Sequence, residues 1–337
     1  MAQKLREVTE TFESKYLANF AQLSKNTRGR KEEEDECDIR TVYQRDRDRI
    51  IHSKSFRALK EKTQVFIVKD DFFRTRLSHT LEVSQIARTI AKALKLNEDL
   101  VEAIALGHDL GHTCFGHSGE DVLRDLTGHF RHNEQSLRVV EVLERNGRGL
   151  NLTLEVRDGI LNHTGANAPM TMEGKLVKIV DRITYLCHDI QNSISAGILK
   201  DGDIPKGIIH VLGDAHSKRV NTFVKDMIQE TFLQISEGNK LDIYQSNEIY
   251  EIMMELRAFM FKRVYYGDVC NREKEKATFI VSSLFQHFLE NPHEIPEEYR
   301  SLMGKESLER IVTDVIAGAT DSYAIKVFQN KFIPSPQ

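Results

Sequence analysis

The segment Gly107-His108-Asp109-Leu110-Gly111-His112 places a histidine directly before an aspartate. One neutral nitrogen ligand and one anionic oxygen ligand therefore stand side by side, which suits a borderline divalent metal. Two ligands seldom hold a metal alone, so we expect further ligands from segments that are distant in the chain but close in the fold. Taken alone, the pair leaves both a metal site and an ordinary core histidine open.

Two such segments lie on either side of the histidine–aspartate pair. His79 lies 29 residues before His108, and Asp181 lies 72 residues after Asp109, both among largely apolar neighbours. An aspartate buried between apolar side chains is costly unless it is paired or bound to a metal. The ordered set of a histidine, a histidine–aspartate pair and an aspartate therefore strengthens the metal hypothesis.

Apolar residues around these positions recur with helical spacing. Leu81, Ile86, Ile90 and Leu94 follow one another at four- to five-residue steps, which predicts a helix from about residue 77. Asn97 is a typical N-cap for the helix that follows. Further helical patterns cover residues 133–144, 173–194, 219–235, 245–266, 273–290 and 306–328.

Turn-forming residues are scarce, since the chain has 19 glycines and 6 prolines among its 337 residues. This scarcity favours long helices over many short strands. The apolar run Val65-Phe66-Ile67-Val68, followed by Phe72 and Phe73, is a strand candidate that would form a small hairpin. We therefore predict an all-α fold with at most a small β-hairpin.

The composition excludes several classes of protein. The chain has 47 basic and 51 acidic residues, a net charge of −4, which argues against a dedicated nucleic-acid coat protein. The sequence has no run of about 18 apolar residues, so no membrane span is predicted. The first residues lack the apolar core of a signal peptide. The four cysteines are far apart and form no CxxC pair. These features favour a protein of the reducing cytoplasm.

The motifs resemble those of the HD-domain metal phosphohydrolases, and most closely those of the deoxyguanosinetriphosphate triphosphohydrolase-like family of dNTPases. The similarity runs in order through residues 43–330, so chance is a poor explanation. The matching segments are residues 45–50, 62–66, 74–83, 107–112, 115–120, 130–136, 180–185 and 320–324. The resemblance implies an HD-domain helical bundle.

We accordingly predict one body in three parts. Residues 1–42 would be a peripheral N-terminal segment, and residues 43–200 the HD metal-dependent catalytic core. Residues 201–337 would be a helical part packed on the same body. No repeat or linker in the sequence divides the chain further.

The resemblance implies hydrolysis of a dNTP to a deoxynucleoside and inorganic tripolyphosphate. A divalent metal would polarise the α-phosphate or lower the pKa of the attacking water. The family's ligand set could accept Mn, Mg, Fe, Ni or Co. The implied ligands are His79, His108, Asp109 and Asp181.

The bond between the α-phosphorus and the 5′-oxygen needs an acid, because an alkoxide is a poor leaving group. By resemblance, His117 takes part in proton transfer and Glu120, three residues later, orients it. A carboxylate beside an imidazole fixes the tautomer of that imidazole, so the pairing is chemically sensible. His112 and His132 match positions near the phosphates in related enzymes.

The resemblance also implies contacts with the rest of the substrate. Phosphate contacts are implied for Arg76 and Arg182, and sugar contacts for Gln64, Tyr185 and Asp189. Tyr185 and Asp189 lie four and eight residues after Asp181, so one helix face carries all three. Tyr185 would pack on the deoxyribose and leave little room for a 2′-hydroxyl, and Asp189 would accept a bond from the 3′-hydroxyl.

Two alternatives to dNTP hydrolysis stay open. The chain could be an HD phosphohydrolase of nucleoside monophosphates or of a signalling nucleotide, or a non-catalytic binder of nucleotides or single-stranded nucleic acid. A nucleic-acid partner is not indicated, because the acidic run 32–36 lies beside the arginines that would form a basic patch. The resemblance further implies a homo-oligomer, a dimer-based tetramer or hexamer. No membrane partner is expected, because the sequence has no run of about 18 apolar residues.

Overall fold

The computed structural model describes residues 4–65 and 73–334 of the chain. Over this part the protein is built from helices and has no sheet, which confirms the prediction of an all-α bundle. None of the described helices combines the length and the apolar character that a membrane span requires.

The helices are numbered in chain order. Those before the histidine-rich segment are α1 Leu5–Tyr16, α2 Val42–Ile51, α3 Lys54–Ala58, α4 Arg76–Leu94 and α5 Glu98–Gly107. The next are α6 Gly116–Thr127, α7 His132–Arg138, α8 Glu144–Gly147, α9 Leu154–Asn162 and α10 Met172–Ser195. The last are α11 Lys206–Leu212, α12 His216–Ser236, α13 Asn247–Met260, α14 Asp268–Glu290, α15 Glu297–Arg300, α16 Leu308–Gly318 and α17 Asp321–Phe332. Wider π-helical turns, Val139–Leu143 and Phe261–Tyr265, extend α7 and α13.

Local capping explains where the two helices beside the histidine–aspartate pair begin. The Thr75 side chain accepts a bond from the backbone N–H of Ser78, and the Ser78 hydroxyl bonds back to Thr75, so α4 starts with a reciprocal cap. The Asn97 side chain accepts bonds from two backbone N–H groups at the start of α5, as the sequence predicts. Both caps satisfy backbone donors that a helix leaves unpaired.

Two clusters of buried apolar side chains hold the helices together. The larger cluster joins the apolar faces of α2, α4, α5, α9 and α10, and α12 and α13 pack on it. The smaller cluster joins α6 with α14 and α16, and it includes Cys114 and Phe115 from the segment that enters α6. The segment 108–115 therefore lies where the two clusters meet.

The N-terminal residues are tied to the body by buried charged groups. Glu13 of α1 is 5% exposed and accepts bonds from the backbone and hydroxyl of Ser24. Arg30 pairs with Asp46 of α2, which is fully buried and also accepts bonds from Thr153. The alternating charges of residues 43–51 are thus paired within the protein.

The predicted hairpin falls mostly outside the described residues, because residues 66–72 are not among them. Its flanks meet in a single antiparallel bridge between Thr63 and Thr75. This bridge brings Gln64 close to the start of α4.

A glycine is required at position 111 because the backbone there packs closely against the backbone of α7. A Cβ atom at this position would lie 2.1 Å from the backbone nitrogen of Ser136 and 2.6 Å from the carbonyl oxygen of His132. We expect Gly111→Ala to lower the free energy of unfolding by about 2–3 kcal/mol, since backbone cannot yield as a side chain does. Urea denaturation measures this change.

Gly207 of α11 provides the matched control for that substitution. A Cβ atom there meets nothing within 4 Å. Gly207→Ala should leave the free energy of unfolding unchanged or raise it by about 0.5–1 kcal/mol, because alanine favours a helix interior. Equal losses of stability in both variants would contradict the packing explanation.

Candidate metal centre and active site

Three segments of the chain bring candidate metal ligands to one point. His79 lies on α4, His108 follows α5 and Asp181 lies on α10, and their ligand atoms all lie within 4.8 Å of one another. Asp181 Oδ1 lies 3.0 Å from His79 Nε2 and 3.7 Å from His108 Nε2. We call these three residues the metal triad.

The hydrogen bonds of His108 test whether the triad fits a cation. His108 Nδ1 lies 2.6 Å from the carbonyl oxygen of Ala105, which can only accept, so Nδ1 carries the proton. Its Nε2 is buried without a hydrogen-bond partner. This lone pair faces carboxylate oxygens of Asp109 at 3.4 Å and Asp181 at 3.7 Å. A divalent cation would satisfy all of these acceptors, so the residues fit one.

A second imidazole supports His79 from behind. His79 Nδ1 lies 2.9 Å from Nε2 of His188, which is completely buried. Such a contact sets the orientation of a ligand ring. The sequence analysis did not single out His188, although it lies seven residues after Asp181 and therefore on the same side of α10.

Asp109, predicted as a fourth ligand, lies at the edge of the triad. Its Oδ2 accepts a bond of 3.1 Å from Arg76 and lies 3.9 Å from His79 Nε2. Burial opposes its ionisation, but the neighbouring imidazoles of His108 and His112 and the Arg76 guanidinium hold the pKa of Asp109 well below its usual range. The carboxylate is therefore ionised and available to a cation, and its place among the ligands stays a prediction.

Arg76, predicted as a phosphate contact, is 3% exposed. Its guanidinium donates to the carbonyl oxygens of Thr63 and Gln64 as well as to Asp109. It therefore joins the Gln64 segment to the metal centre, and a direct contact with phosphate stays a prediction.

The four residues predicted for catalysis surround one side of this centre. His117 lies in the first turn of α6 with its side chain 69% exposed, and its ring centroid is 5.4 Å from that of His112. The rings of His112 and His132 stack with their centroids 4.1 Å apart. Burial and the Arg76 charge hold the pKa of His112 well below its usual value, so this ring is neutral.

Glu120 binds His132 more closely than it binds His117. Its carboxylate accepts bonds from the backbone nitrogen of His132 at 2.9 Å and from Nδ1 at 3.0 Å. Nδ1 of His117 is 3.5 Å from the same carboxylate. Burial lowers the pKa of His132, but the Glu120 charge outweighs burial and raises it. The predicted pairing of His117 with Glu120 is thus shared with His132.

The turn that presents His117 is held by the C-terminal helices. Phe115 has a left-handed backbone with φ of 60°, which is strained for a residue with a side chain. Asp321 at the start of α17 accepts a bond of 2.8 Å from the Phe115 backbone nitrogen and further bonds from Thr63. Lys62, buried beside them, donates to the carbonyl oxygens of His112 and Ala317.

We expect Asp321→Ala to lower kcat about 10- to 100-fold, because the turn before His117 loses its anchor. Metal content should not change, since Asp321 contacts no member of the metal triad. Steady-state kinetics and elemental analysis measure the two quantities. Glu309→Ala, at an exposed carboxylate of α16, is the control, and equal activity in both variants would contradict the role of Asp321.

The predicted sugar contacts lie along α10 and beside it. Asp189 is 1% exposed; its Oδ2 accepts a bond of 2.6 Å from the Tyr265 hydroxyl, and its Oδ1 lies 2.7 Å from Nδ1 of the buried His188. Gln64 Oε1 is buried without a hydrogen-bond partner. This oxygen is free to accept a bond from a hydroxyl group of a ligand.

Tyr185 and Arg182 flank this group on α10, and both are partly buried. Burial and then the Asp181 charge raise the pKa of Tyr185, so its hydroxyl stays protonated. Arg182 lies near Lys178, whose pKa falls through burial and then through the Arg182 charge. No local pattern marks Tyr265 in the sequence, because it reaches Asp189 from the turn after α13.

Comparisons with known proteins agree with this geometry. A model of the HD domain matches residues 76–186, which hold the metal triad. A model of a phosphohydrolase-associated domain matches residues 243–330, which include Asp321.

Full-length relatives are similar over nearly the whole chain. A deoxyguanosinetriphosphate triphosphohydrolase-like protein of Caldanaerobacter subterraneus subsp. tengcongensis is 55% identical, covering 99% of this chain and 97% of its own. Proteins of the same name from Clostridium perfringens and Ralstonia pickettii are 51% and 38% identical, covering 98% and 94% of both chains. The chain therefore belongs to the deoxyguanosinetriphosphate triphosphohydrolase-like family of HD-domain phosphohydrolases.

Proposed function

We propose that the protein hydrolyses deoxynucleoside triphosphates to a deoxynucleoside and inorganic tripolyphosphate, and that the reaction depends on a divalent metal. The observation that carries the proposal is the arrangement of two groups on either side of the Asp109 carboxylate, which lies 3.4 Å from His108 Nε2 and 3.5 Å from His112 Nε2. The metal triad, with the unpartnered Nε2 of His108, lies on one side. His112, His117 and Glu120, whose ligand atoms lie within 4.8 Å of one another, form the other.

His79, His108 and Asp181 would hold the metal, with Asp109 at its edge. When bound, a divalent cation of the Mn, Mg, Fe, Ni or Co group would polarise the α-phosphate and favour ionisation of water. The chain's part is to fix the ligands, and the contact between His188 and His79 supports this role.

His117 is the proposed acid for the departing 5′-oxygen. In the reaction the water oxygen bonds to the α-phosphorus, the bond from phosphorus to the 5′-oxygen breaks, and His117 supplies the proton that the 5′-oxygen takes up. The exposed ring can reach a substrate from solvent. Glu120, within 3.5 Å, would orient the ring.

The triphosphate needs positive charge beside it. His132 supports the proposal, because the Glu120 carboxylate raises its pKa and favours the cationic ring. Arg182 and Lys178 add charge from α10. His112 would instead act as a neutral hydrogen-bonding group, since its pKa is lowered.

The sugar would bind between Gln64, Tyr185 and Asp189. The unpartnered oxygen of Gln64 suits a 3′-hydroxyl, which can donate to it, and the Asp189 carboxylate would accept a further bond beside Tyr265 and His188. Tyr185 would pack on the deoxyribose where a ribose would carry its 2′-hydroxyl. This arrangement favours a deoxynucleotide over a ribonucleotide.

We expect Tyr185→Ala to raise hydrolysis of ribonucleoside triphosphates relative to dNTPs by roughly 10-fold, because a steric barrier to one hydroxyl is removed. The ratio of kcat/KM for GTP and dGTP measures the change. Tyr250→Ala, at an exposed tyrosine of α13, serves as the control. An unaltered ratio in Tyr185→Ala would remove Tyr185 from sugar discrimination.

The experiment that tests the proposed function is a screen of the four dNTPs, singly and in mixtures, with the metal-loaded protein and ion chromatography of the products. We expect tripolyphosphate and deoxynucleoside in equal amounts. If the protein cleaves only nucleoside monophosphates or a signalling nucleotide, it is an HD phosphohydrolase of a different substrate class. Binding of nucleotide or single-stranded nucleic acid without turnover would support a binding protein.

The same experiment can include size-exclusion chromatography with light scattering. A homo-oligomer built from dimers is part of the proposal, as is a cytoplasmic location. A monomer with full activity would contradict the oligomer but leave the proposed reaction standing.

A further inference from the structure

A chain of short polar contacts leads from the metal triad to the proposed sugar contact. His79 Nδ1 lies 2.9 Å from His188 Nε2, and His188 Nδ1 lies 2.7 Å from Asp189 Oδ1. The Tyr265 hydroxyl donates a bond of 2.6 Å to Asp189 Oδ2. We call these four residues the imidazole chain. It joins a metal ligand to a carboxylate that the proposed function uses only for the sugar.

The inner part of the imidazole chain is shielded from water. His79 and Asp189 are each 1% exposed, and His188 is completely buried. Among the described residues, His188 Nδ1 and Asp189 Oδ1 have no hydrogen-bond partner other than the atom that each faces. Since no water competes and the local dielectric is low, the carboxylate acts strongly on the ring beside it.

These contacts decide which nitrogen of each ring carries the proton. An ionised carboxylate only accepts, so His188 Nδ1 carries a proton, and Nε2 of the neutral ring keeps its lone pair. This lone pair accepts a bond from Nδ1 of His79. His79 Nε2 is then left unprotonated, and it faces Asp181 Oδ1 at 3.0 Å. A histidine that binds a metal needs this free lone pair.

The opposite arrangement of protons is unfavourable. If His79 carried its proton on Nε2, its Nδ1 could only accept, and His188 would have to donate from Nε2. The Nδ1 lone pair of neutral His188 would then face the Asp189 carboxylate at 2.7 Å, and two acceptors at this distance repel each other. The charge of Asp189 therefore favours the tautomer of His79 that can bind a metal.

Tyr265 holds the carboxylate in place. Its hydroxyl binds Oδ2 of Asp189, which leaves Oδ1 to His188. Burial and then the Asp189 charge raise the pKa of Tyr265 well above its ordinary value, so the hydroxyl keeps its proton and continues to donate. The turn after α13 thus supports the far end of the imidazole chain.

We propose that His188 and Asp189 are positioning residues of the metal centre: Asp189, acting through His188, holds His79 in the tautomer and orientation that bind a divalent cation. Asp189 then has two roles, one toward the metal centre and one toward the sugar. The inference rests on the metal dependence proposed above and not on the choice of substrate, because cation binding is measured without substrate.

The test is the dissociation constant of Mn(II) for the metal-free full-length protein, measured from the electron paramagnetic resonance signal of free Mn(II). His188→Phe keeps a ring of similar size without a nitrogen. It should raise the Kd about 10- to 100-fold, the usual effect of losing a group that supports a metal ligand. Asp189→Asn, which lacks the charge, should raise the Kd about 10-fold. Asp181→Ala identifies the binding step that belongs to the metal triad.

A double variant separates the imidazole chain from a general loss of packing. If Asp189 acts through His188, the Kd of His188→Phe with Asp189→Asn equals that of His188→Phe alone within about threefold, since the two groups belong to one network. Independent structural effects would instead multiply. His188→Gln keeps an acceptor for His79 and a donor for Asp189, so it should restore most of the affinity. His129→Phe, at an exposed histidine, is the control and should keep the wild-type Kd.

A wild-type Kd in His188→Phe, multiplied effects in the double variant, or an equal loss in His188→Gln and His188→Phe would overturn the proposal. Circular dichroism of the metal-free proteins verifies that the variants fold. If His188→Phe does not fold, an unchanged Kd in Asp189→Asn overturns the proposal without it.

These results separate from those on the reaction. A protein that releases tripolyphosphate and whose Kd does not respond to His188 keeps the proposed function and loses the positioning role. A protein with the expected Kd values that does not release tripolyphosphate has the reverse outcome. A wild-type protein that binds no Mn(II) would contradict both.

Discussion

Asp181→Ala should lose the metal of the triad and lower kcat/KM by roughly 10³-fold or more, since the chemistry that the metal supplies is worth several kcal/mol. Asp181 Oδ1 lies between His79 and His108, at 3.0 and 3.7 Å from their Nε2 atoms. Without this carboxylate the triad keeps only the neutral imidazoles of His79 and His108. Neither imidazole balances the charge of a divalent cation. Elemental analysis and steady-state kinetics measure the two effects.

Two controls make this result specific. Asp125→Ala removes an exposed carboxylate of α6 and should leave both metal content and kcat/KM as in the wild type. Asp181→Asn keeps the shape of the side chain and should still lose affinity for the metal, because it lacks the negative charge. An Asp181→Ala protein with the full metal content of the wild type would remove Asp181 from the ligands.

His117→Ala should keep the metal and lower kcat by about 10²–10⁴-fold, the usual contribution of a positioned acid. The ring is not among the triad, and its side chain is the most exposed of the catalytic candidates, so little of the fold depends on it. Kinetics with dGTP at saturating metal measure the loss, and elemental analysis verifies that the metal is retained.

The leaving group distinguishes an acid from a structural residue. A phosphodiester with a p-nitrophenolate leaving group needs no proton, so His117→Ala should lose much less activity on it than on dGTP. His129→Ala, at an exposed histidine bound to Glu134, should match the wild type on both substrates. Equal losses on both substrates in His117→Ala would contradict its role as the acid.

The sequence patterns predict the helices, and they also name the three residues that the fold brings together as the metal triad; that these residues bind a metal stays a prediction. Periodic apolar residues predict α4 and α10, and the Asn97 cap is found at the start of α5. These features are local, because helical spacing and capping act within a few residues. The histidine–aspartate pair and its distant partners also meet as expected, since each lies on a helix whose other side packs into the core.

Other features of the site depend on contacts between distant segments. Glu120 lies closer to His132 than to His117 because of how α7 packs on α6. Arg76 is buried because of the bridge between Thr63 and Thr75. The spacing of residues in the sequence does not predict such contacts. Likewise Asp321 lies 206 residues after Phe115 and holds its backbone only in the folded chain.

His163 illustrates the same limit. As a single histidine after an apolar helix, it is indistinguishable in the sequence from an ordinary core residue. Only the folded structure shows that its Nε2 lies 3.2 Å from that of His132.

The most direct test of the proposed reaction is hydrolysis of dGTP in water enriched in oxygen-18, followed by mass spectrometry of the products. Attack on the α-phosphorus predicts one labelled oxygen in tripolyphosphate and none in deoxyguanosine. Label in the 5′-hydroxyl of deoxyguanosine, or formation of a deoxynucleoside monophosphate with pyrophosphate, would contradict the account.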